Sequence, residues 1–460
     1  MKNIENLNIA VIGGGYAGMA AAVALAEQGI QVTVFESARQ LGGRARGVSF
    51  FTTRGHNDEQ PPFHLSPSAG GKSERQNQHL ILDNGQHLLL GCYHQTLRLI
   101  EQVGGNIEAD FLRLPLQLDL HGHFALQAPR LPAPFHLLIA LLKAQGLSWS
   151  ERVSAARFML MLRRIKFNIN NDIAASEFLS QHGQSAALVQ KLWEPLCIAA
   201  LNTPIQIASA QVLLNVLRDA LNQRRADSDM LIPRLDFTAL FPQRAAAYVK
   251  KRGGHVLTSC GVEQLLPHEH GFEIQTKRGS LYFSHVICAT SPVIAARLLR
   301  ALPELAPVIE VIDALQHQPI YTLYLHYPPH VALPHPMLGL HQRVSQWLFD
   351  KGQIAGQHGL IASVISAEGL HQNLSQDELA QKVIAELRDE FGITDTPLWV
   401  KVIAEKRATF ACTPGLQRPD QQTAHPRVLL AGDYTRGDYP ATLEGAVQSG
   451  LRCAERLKHV

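Results

Sequence analysis

The sequence predicts an α/β protein in which a Rossmann-like dinucleotide-binding domain is built from discontinuous segments, with an α+β domain inserted between them. Three observations predict it. The stretch VIGGGYAGMAAAVALAEQGIQVTVFES, 11–37, reads as a strand, a glycine turn, a helix and a second strand. Strand-like segments return in 254–290 and again near the end, in RVLLAGDY. Between these lie a helical stretch and a second strand-rich stretch, so the nucleotide domain must be interrupted.

Each element follows in order. The strand 9–12 leads into a helix over about 17–28, which Gly29 ends before the strand 31–36. From 52 to 78 the composition turns polar and rich in Pro, Gly and Ser, and predicts a surface loop. A strand resumes in LILDNGQHLLLG, and alternating apolar residues around His121-Gly122 in LRLPLQLDLHGHFALQAP predict a hairpin. Leu, Ala and Met at helical spacing mark 134–225 as helical. After the strands of 254–290, IYTLYLHY and LIASVISA read as further strands, and Ser375-Gln376-Asp377-Glu378 as a capping box that opens a helix. The last segment is a strand, a loop and a long helix. This order assigns 1–110, 236–300 and 413–460 to the nucleotide domain, and 111–235 with 301–412 to the inserted domain.

Composition narrows the class. With 460 residues, 46% hydrophobic and 18% charged, the chain can bury large cores. A net charge of +3, with short basic clusters such as Arg163-Arg164 and Lys250-Lys251-Arg252 scattered along the chain, gives no footprint for a nucleic-acid partner. Cys92, Cys197, Cys260, Cys288, Cys412 and Cys453 are far apart, without a CxxC pair or a histidine at zinc spacing. They read as reduced thiols in a cytoplasmic protein, and no metal site is expected. MKNIENLN, before the first strand, lacks the features of a secretory leader. The longest apolar run, 137–142, is too short to span a bilayer and can at most lie on one.

The motifs carry the chemistry. Gly13, Gly15 and Gly18 fit GxGxxG between a strand and a helix: the first permits the tight turn, the second lets a pyrophosphate approach the backbone, and the third lets helix and strand pack. Ala17 sits where the helix N-terminus faces phosphate. Glu36 closes the second strand, where a carboxylate can accept hydrogen bonds from a ribose. An ordinary glycine-rich turn is the competing reading, and the βαβ context with the acidic residue argues against it. LGGRARG, 41–47, adds a second glycine pair containing Gly43, and Arg44 as a cation for the pyrophosphate, an addition that a nicotinamide domain does not need. In the last segment Gly432 and Asp433 follow a strand end and Thr442-Leu443 open a helix. There a carboxylate can hold a ribityl hydroxyl and helix-end N–H groups can stabilise negative charge.

Together these stretches resemble the superfamily of FAD-dependent amine oxidases and phytoene desaturases over nearly the whole chain. LDNGQHLLLGCY, EKRATFACTPG and AGDYTRGDYPATLEGAVQSG are similar to the hydroxysqualene dehydroxylases, the squalene-associated FAD-dependent desaturases of bacterial hopanoid biosynthesis. The resemblance implies FAD as cofactor, with Gly13, Gly15, Gly18, Glu36, Gly43, Arg44, Asp433 and Leu443 at flavin positions and Val262 contacting adenine through its backbone. It implies an isoprenoid lipid substrate and the conversion of hydroxysqualene to squalene by hydride transfer from reduced flavin with loss of water. The segment 52–78 departs from the pattern in being longer than expected between GGRAR and DNGQH.

Hydroxide leaves badly unless protonated, so that reaction needs a general acid or an ordered water. His87, in a stretch the superfamily places beside the flavin ring, is the candidate, with a hydrogen-bonded structural histidine as the competing reading. Asp438 and Tyr439 are further candidates, each with a loop-shaping alternative. The helical region 134–221, with LLIALL and FMLML, offers an apolar lining for the substrate and an entrance at a membrane surface, although core packing is the favoured account of any single residue in it. A carotenoid-type desaturase and an amine oxidase remain alternatives, the latter with Tyr439 in an aromatic cage and no lysine assignable. A non-catalytic lipid escort of the GDP-dissociation-inhibitor type is opposed by the flavin elements near both ends.

Overall fold

The computed structural model describes residues 7–52, 78–221 and 224–458, so most of the expected polar loop lies outside the described residues. Five short strands form a parallel sheet in the order His255–Leu257, Gln31–Phe35, Asn8–Ile12, His285–Cys288, Val428–Leu430. Every neighbouring pair is parallel, with Val11 opposite both Val34 and Ile287. The nearly unbroken apolar runs of NIAVI, QVTVF and HVIC suit strands covered on both faces. Early, middle and late parts of the chain thus build one sheet.

The helix Tyr16–Glu27 begins one residue before the expected start, and its sequence, YAGMAAAVALAE, explains its position. Ten of its twelve residues are buried, and a helix apolar on all sides belongs inside a protein. Small residues let it be approached closely. A Cβ on Gly450, in the final helix Leu443–Leu457, would lie 2.1 Å from the carbonyl oxygen of Ala17, so the two helices cross almost backbone to backbone.

The inserted part centres on a seven-stranded mixed sheet ordered Trp399–Phe410, His317–His326, Leu360–Ser366, Trp347–Asp350, Met337–Gly339, Gln117–Leu120, Phe124–Gln127. Its last two strands are the expected hairpin, turning at Gly122 with φ +69°. The helix Gln376–Phe391 opens on the expected capping box: the Ser375 hydroxyl accepts from the Glu378 N–H, and the Glu378 carboxylate accepts from the Ser375 N–H. A small sheet ties the inserted part to the nucleotide part, with Met230–Pro233 between Leu89–Leu90 and Phe111–Leu114. No helix among the described residues is long and apolar enough to cross a membrane.

Candidate functional site

Parallel strands deliver their functional residues at carboxyl ends, and three such ends converge here. Gly13 follows the central strand with φ +113°, and a Cβ there would come within 2.5 Å of the Ala289 carbonyl oxygen. A Cβ on Gly18 would meet the Gly13 carbonyl oxygen at 2.0 Å, which fixes glycine as the residue that lets the helix sit on the turn. Glu36 ends the adjacent strand, buried, with its carboxylate accepting from the N–H groups of Gly14 and Ala38, both at 2.8 Å. The chain before Val262 runs along this strand end, through Glu36 N–H to Leu257 and Cys260 N–H to Glu36. The structure thereby brings the chain just before Val262, far away in sequence, alongside the Glu36 backbone.

The second glycine pair folds onto the first. Gly42 N–H donates to the Gly14 carbonyl, Gly15 and Gly42 form an isolated parallel bridge, and a Cβ on Gly43 would stand 3.4 Å from the Gly15 Cα. Gly13, Gly15, Gly43 and Arg44 keep partial exposure, so the two glycine backbones border an open cleft. Arg44 and Asp433, two expected cofactor residues, meet each other: the guanidinium donates to the carboxylate at 2.5 Å and to the Ala408 carbonyl at 2.7 Å. Burial opposes that charge, but Asp433 outweighs it and holds the Arg44 pKa above its ordinary value. Arg44 is therefore not a free cation of the turn. Gly432 N–H donates to the Ser449 hydroxyl at 2.7 Å, and Thr442 caps the final helix by accepting from Gly445 N–H at 3.1 Å, with Leu443 as its first residue.

The DNGQH stretch packs beside the second glycine pair, with Asn84 exchanging hydrogen bonds with the Arg46 backbone, and forms a second wall. Asn84, Gly85 and His87 keep partial exposure, whereas Asp83 and Gln86 are buried. His87 Nδ1 lies 2.6 Å from the Gly85 carbonyl oxygen, which makes that nitrogen the protonated one and leaves Nε2 as an acceptor. Burial, only partly offset by the Gly85 carbonyl and reinforced by the Arg44 charge, lowers the His87 pKa to about 4. The geometry does not favour the expected role of His87 as general acid, since burial lowers its pKa and its Nδ1–H is bonded to Gly85. Asp438 is exposed and pairs with Arg218 at 3.2 Å, and burial together with Asp219 pushes the Tyr439 phenol up, away from the range of a useful acid.

Sequence reasoning did not single out Asp83. Asp83 accepts the Phe237 N–H at 2.8 Å, and burial pushes its carboxyl up to about 7, against the lowering pull of the Lys351 ammonium. Lys351, also buried, donates to Gln86 Oε1 at 3.2 Å, and burial lowers its pKa against the pull of Asp83. Phe237 joins three elements: it donates to Asp83, accepts from the Tyr16 hydroxyl at 3.0 Å, and sets its ring 4.8 Å from His87. The only local signal was an aspartate in a strand that otherwise reads apolar, and Lys351 gave none.

The cleft fits FAD. Two facing glycine backbones without side chains suit a pyrophosphate, the Glu36 carboxylate suits a ribose, and Asp433 beside a capped helix N-terminus suits the flavin end. Among the described residues the buried Thr322 Oγ1, near Gly85, and the Tyr434 hydroxyl, whose ring stands against Gly432, have no hydrogen-bond partner.

Comparison with known proteins agrees with this geometry. The family model described as flavin containing amine oxidoreductase matches residues 16–458. The hydroxysqualene dehydroxylase of Zymomonas mobilis is 26% identical, with 97% of each chain covered. The zeta-carotene desaturase of Solanum lycopersicum is 23% identical, with 99% of this chain and 81% of that one covered. Among solved structures, an oxidoreductase from Methanosarcina mazei superposes with a TM-score of 0.72 at 14% identity, over 98% of this chain and all of that one. Fold, cleft and family model lead to one conclusion: this chain belongs to the flavin-containing amine oxidoreductases.

Proposed function

We propose that this FAD-dependent oxidoreductase converts hydroxysqualene to squalene, with Asp83 as the proton source. In this reading 1–110, 236–300 and 413–460 hold FAD, while 111–235 and 301–412 hold the lipid. The observation that carries it is a buried carboxyl with a pKa raised to about 7 in the wall of the cofactor cleft. Such a group keeps its proton without water nearby and gives it up when a stronger base forms beside it. The hydroxyl of an allylic alcohol takes that proton and leaves as water, the carbon–oxygen bond breaks, and the carbon receives a hydride. Reduced FAD supplies that hydride when bound. Lys351 and Gln86 hold Asp83's surroundings polar, and His87 offers a bare Nε2 that can accept the substrate hydroxyl's own hydrogen.

A desaturase needs a base where a dehydroxylase needs an acid, and the similarity to zeta-carotene desaturases keeps that second reading in view. Anaerobic enzyme carrying reduced flavin, mixed with hydroxysqualene, should regain its oxidised flavin bands as squalene accumulates. Flavin that stays reduced with hydroxysqualene, while the oxidised enzyme is bleached by a carotenoid precursor, would sink the dehydroxylase reading.

A further inference from the structure

The segment 130–166 contains seven lysines and arginines against one acid, Glu151, in a chain whose net charge is only +3. Glu151 is occupied at the start of the helix Trp149–Arg164, where its carboxylate accepts from Ser148 N–H at 2.8 Å and Ser185 Oγ at 3.1 Å. Arg152 is turned inward onto the carbonyls of Leu147 and Leu142. The remaining six, Arg130, Lys143, Arg157, Arg163, Arg164 and Lys166, are exposed.

The same segment exposes large apolar side chains that a soluble surface has no use for. Trp149 is 66% exposed, Phe135 59%, Leu160 50% and Leu131 39%. On the helix, Ala155, Phe158, Met159 and Leu162 face the core. Trp149, Val153, Arg157, Leu160 and Arg164, spaced by four, four, three and four residues, form the opposite stripe. Apolar and cationic side chains alternate along it. A groove of about 520 Å³ opens beside it, lined by Trp149, Val153, Arg157, Met161 and His182.

We propose that this face docks the protein on an anionic lipid bilayer, with Trp149 and Leu160 entering the headgroup region and Arg157, Arg163 and Arg164 meeting lipid phosphates. An apolar stripe alone would suit many partners, but its cationic rim, set in a chain of low net charge, selects an anionic surface. Tryptophan at the margin of a basic helix suits the boundary between headgroups and acyl chains. The surface follows from exposure and charge alone and does not depend on the isoprenoid reading.

The test uses the flavin-loaded full chain in flotation with vesicles of phosphatidylcholine, alone or mixed with phosphatidylglycerol. Mixed vesicles should capture the protein and neutral ones should not. Each basic side chain near an anionic surface contributes about fivefold in partitioning, so reversing Arg157, Arg163 and Arg164 to Glu should weaken capture about a hundredfold or more. Trp149 is the most exposed tryptophan, and its emission should shift to the blue on mixed vesicles, a shift lost in Trp149→Phe while capture persists. Wild-type protein left unbound by mixed vesicles, or undiminished capture of the triple variant at unchanged flavin content, overturns the proposal. Self-association abolished by Leu160→Glu, without vesicle binding, would make a second copy the occupant and overturn it equally.

Discussion

The two walls of the cleft treat polar groups in opposite ways. At the nucleotide wall every carboxylate is occupied: Glu36 holds the backbone of Gly14 and Ala38, and Asp433 holds Arg44. These groups are held in place by their partners, as preorganised binding demands. At the DNGQH wall burial dominates instead. It raises Asp83 to about 7 and lowers His87 to about 4, and Thr322 Oγ1 has no partner at all. Pairs of titratable groups whose surroundings push them apart are the signature of chemistry rather than of binding. In the proposed function one wall grips and the other reacts.

That division can be broken by experiment, and the reacting wall should yield the largest effect. Asp83→Asn keeps the shape but removes the transferable proton, so the single-turnover rate should fall about a hundredfold to ten-thousandfold with flavin content unchanged. The wild-type rate should decline as pH rises through about 7, because the protonated carboxyl is the active form. Asp83→Asn should lose that limb and His87→Gln should keep it, since a ring with a pKa near 4 does not titrate there. Stability has the same sign. A carboxyl whose folded pKa is raised from 3.8 to about 7 stabilises the fold less as pH climbs through that window. Thermal melts of wild type and Asp83→Asn across those pH values would show whether the variant flattens the slope.

Glu36→Ala tests the gripping wall. It should weaken FAD retention by about 1.5–3 kcal/mol, the worth of a charged hydrogen bond, without altering turnover per bound flavin. A drop in turnover at full occupancy would erase the distinction between the walls. The smallest expected effect is the most selective. Lys351 pulls the Asp83 pKa down, so Lys351→Met should move the falling limb up by about one pH unit. A limb that stays in place would separate the two residues electrostatically.

Legibility in the sequence follows the same division. Glycine turns and the residues around them act through local backbone geometry, so Gly13, Gly18, Glu36 and Gly43 were readable from spacing alone. The capping box at Ser375 and the hairpin at Gly122 were readable for the same reason. What Arg44 touches was not, because Asp433 reaches it from the far end of the chain. The sequence points to His87 rather than Asp83 because a histidine carries its usefulness in its unperturbed pKa, whereas an aspartate acquires it from surroundings. Those surroundings, Phe237, Lys351 and Gln86, come from three separate segments. A motif cannot state how deeply its own residues are buried.

The crossing of Gly450 over Ala17 also governs the order in which the cleft can be made on the ribosome. The first strand, its glycine turn and the helix Tyr16–Glu27 are synthesised early, yet that helix is apolar on all sides and one of its faces waits for Leu443–Leu457. The strand Val428–Leu430 and Asp433 arrive only then as well. At a few residues to about twenty per second, the nascent chain must carry an uncovered apolar helix for tens of seconds. Chains released before the last helix emerges would lack both the flavin end of the cleft and the cover over its beginning. Flavin capture in this architecture therefore doubles as proof that translation has run to the final helix.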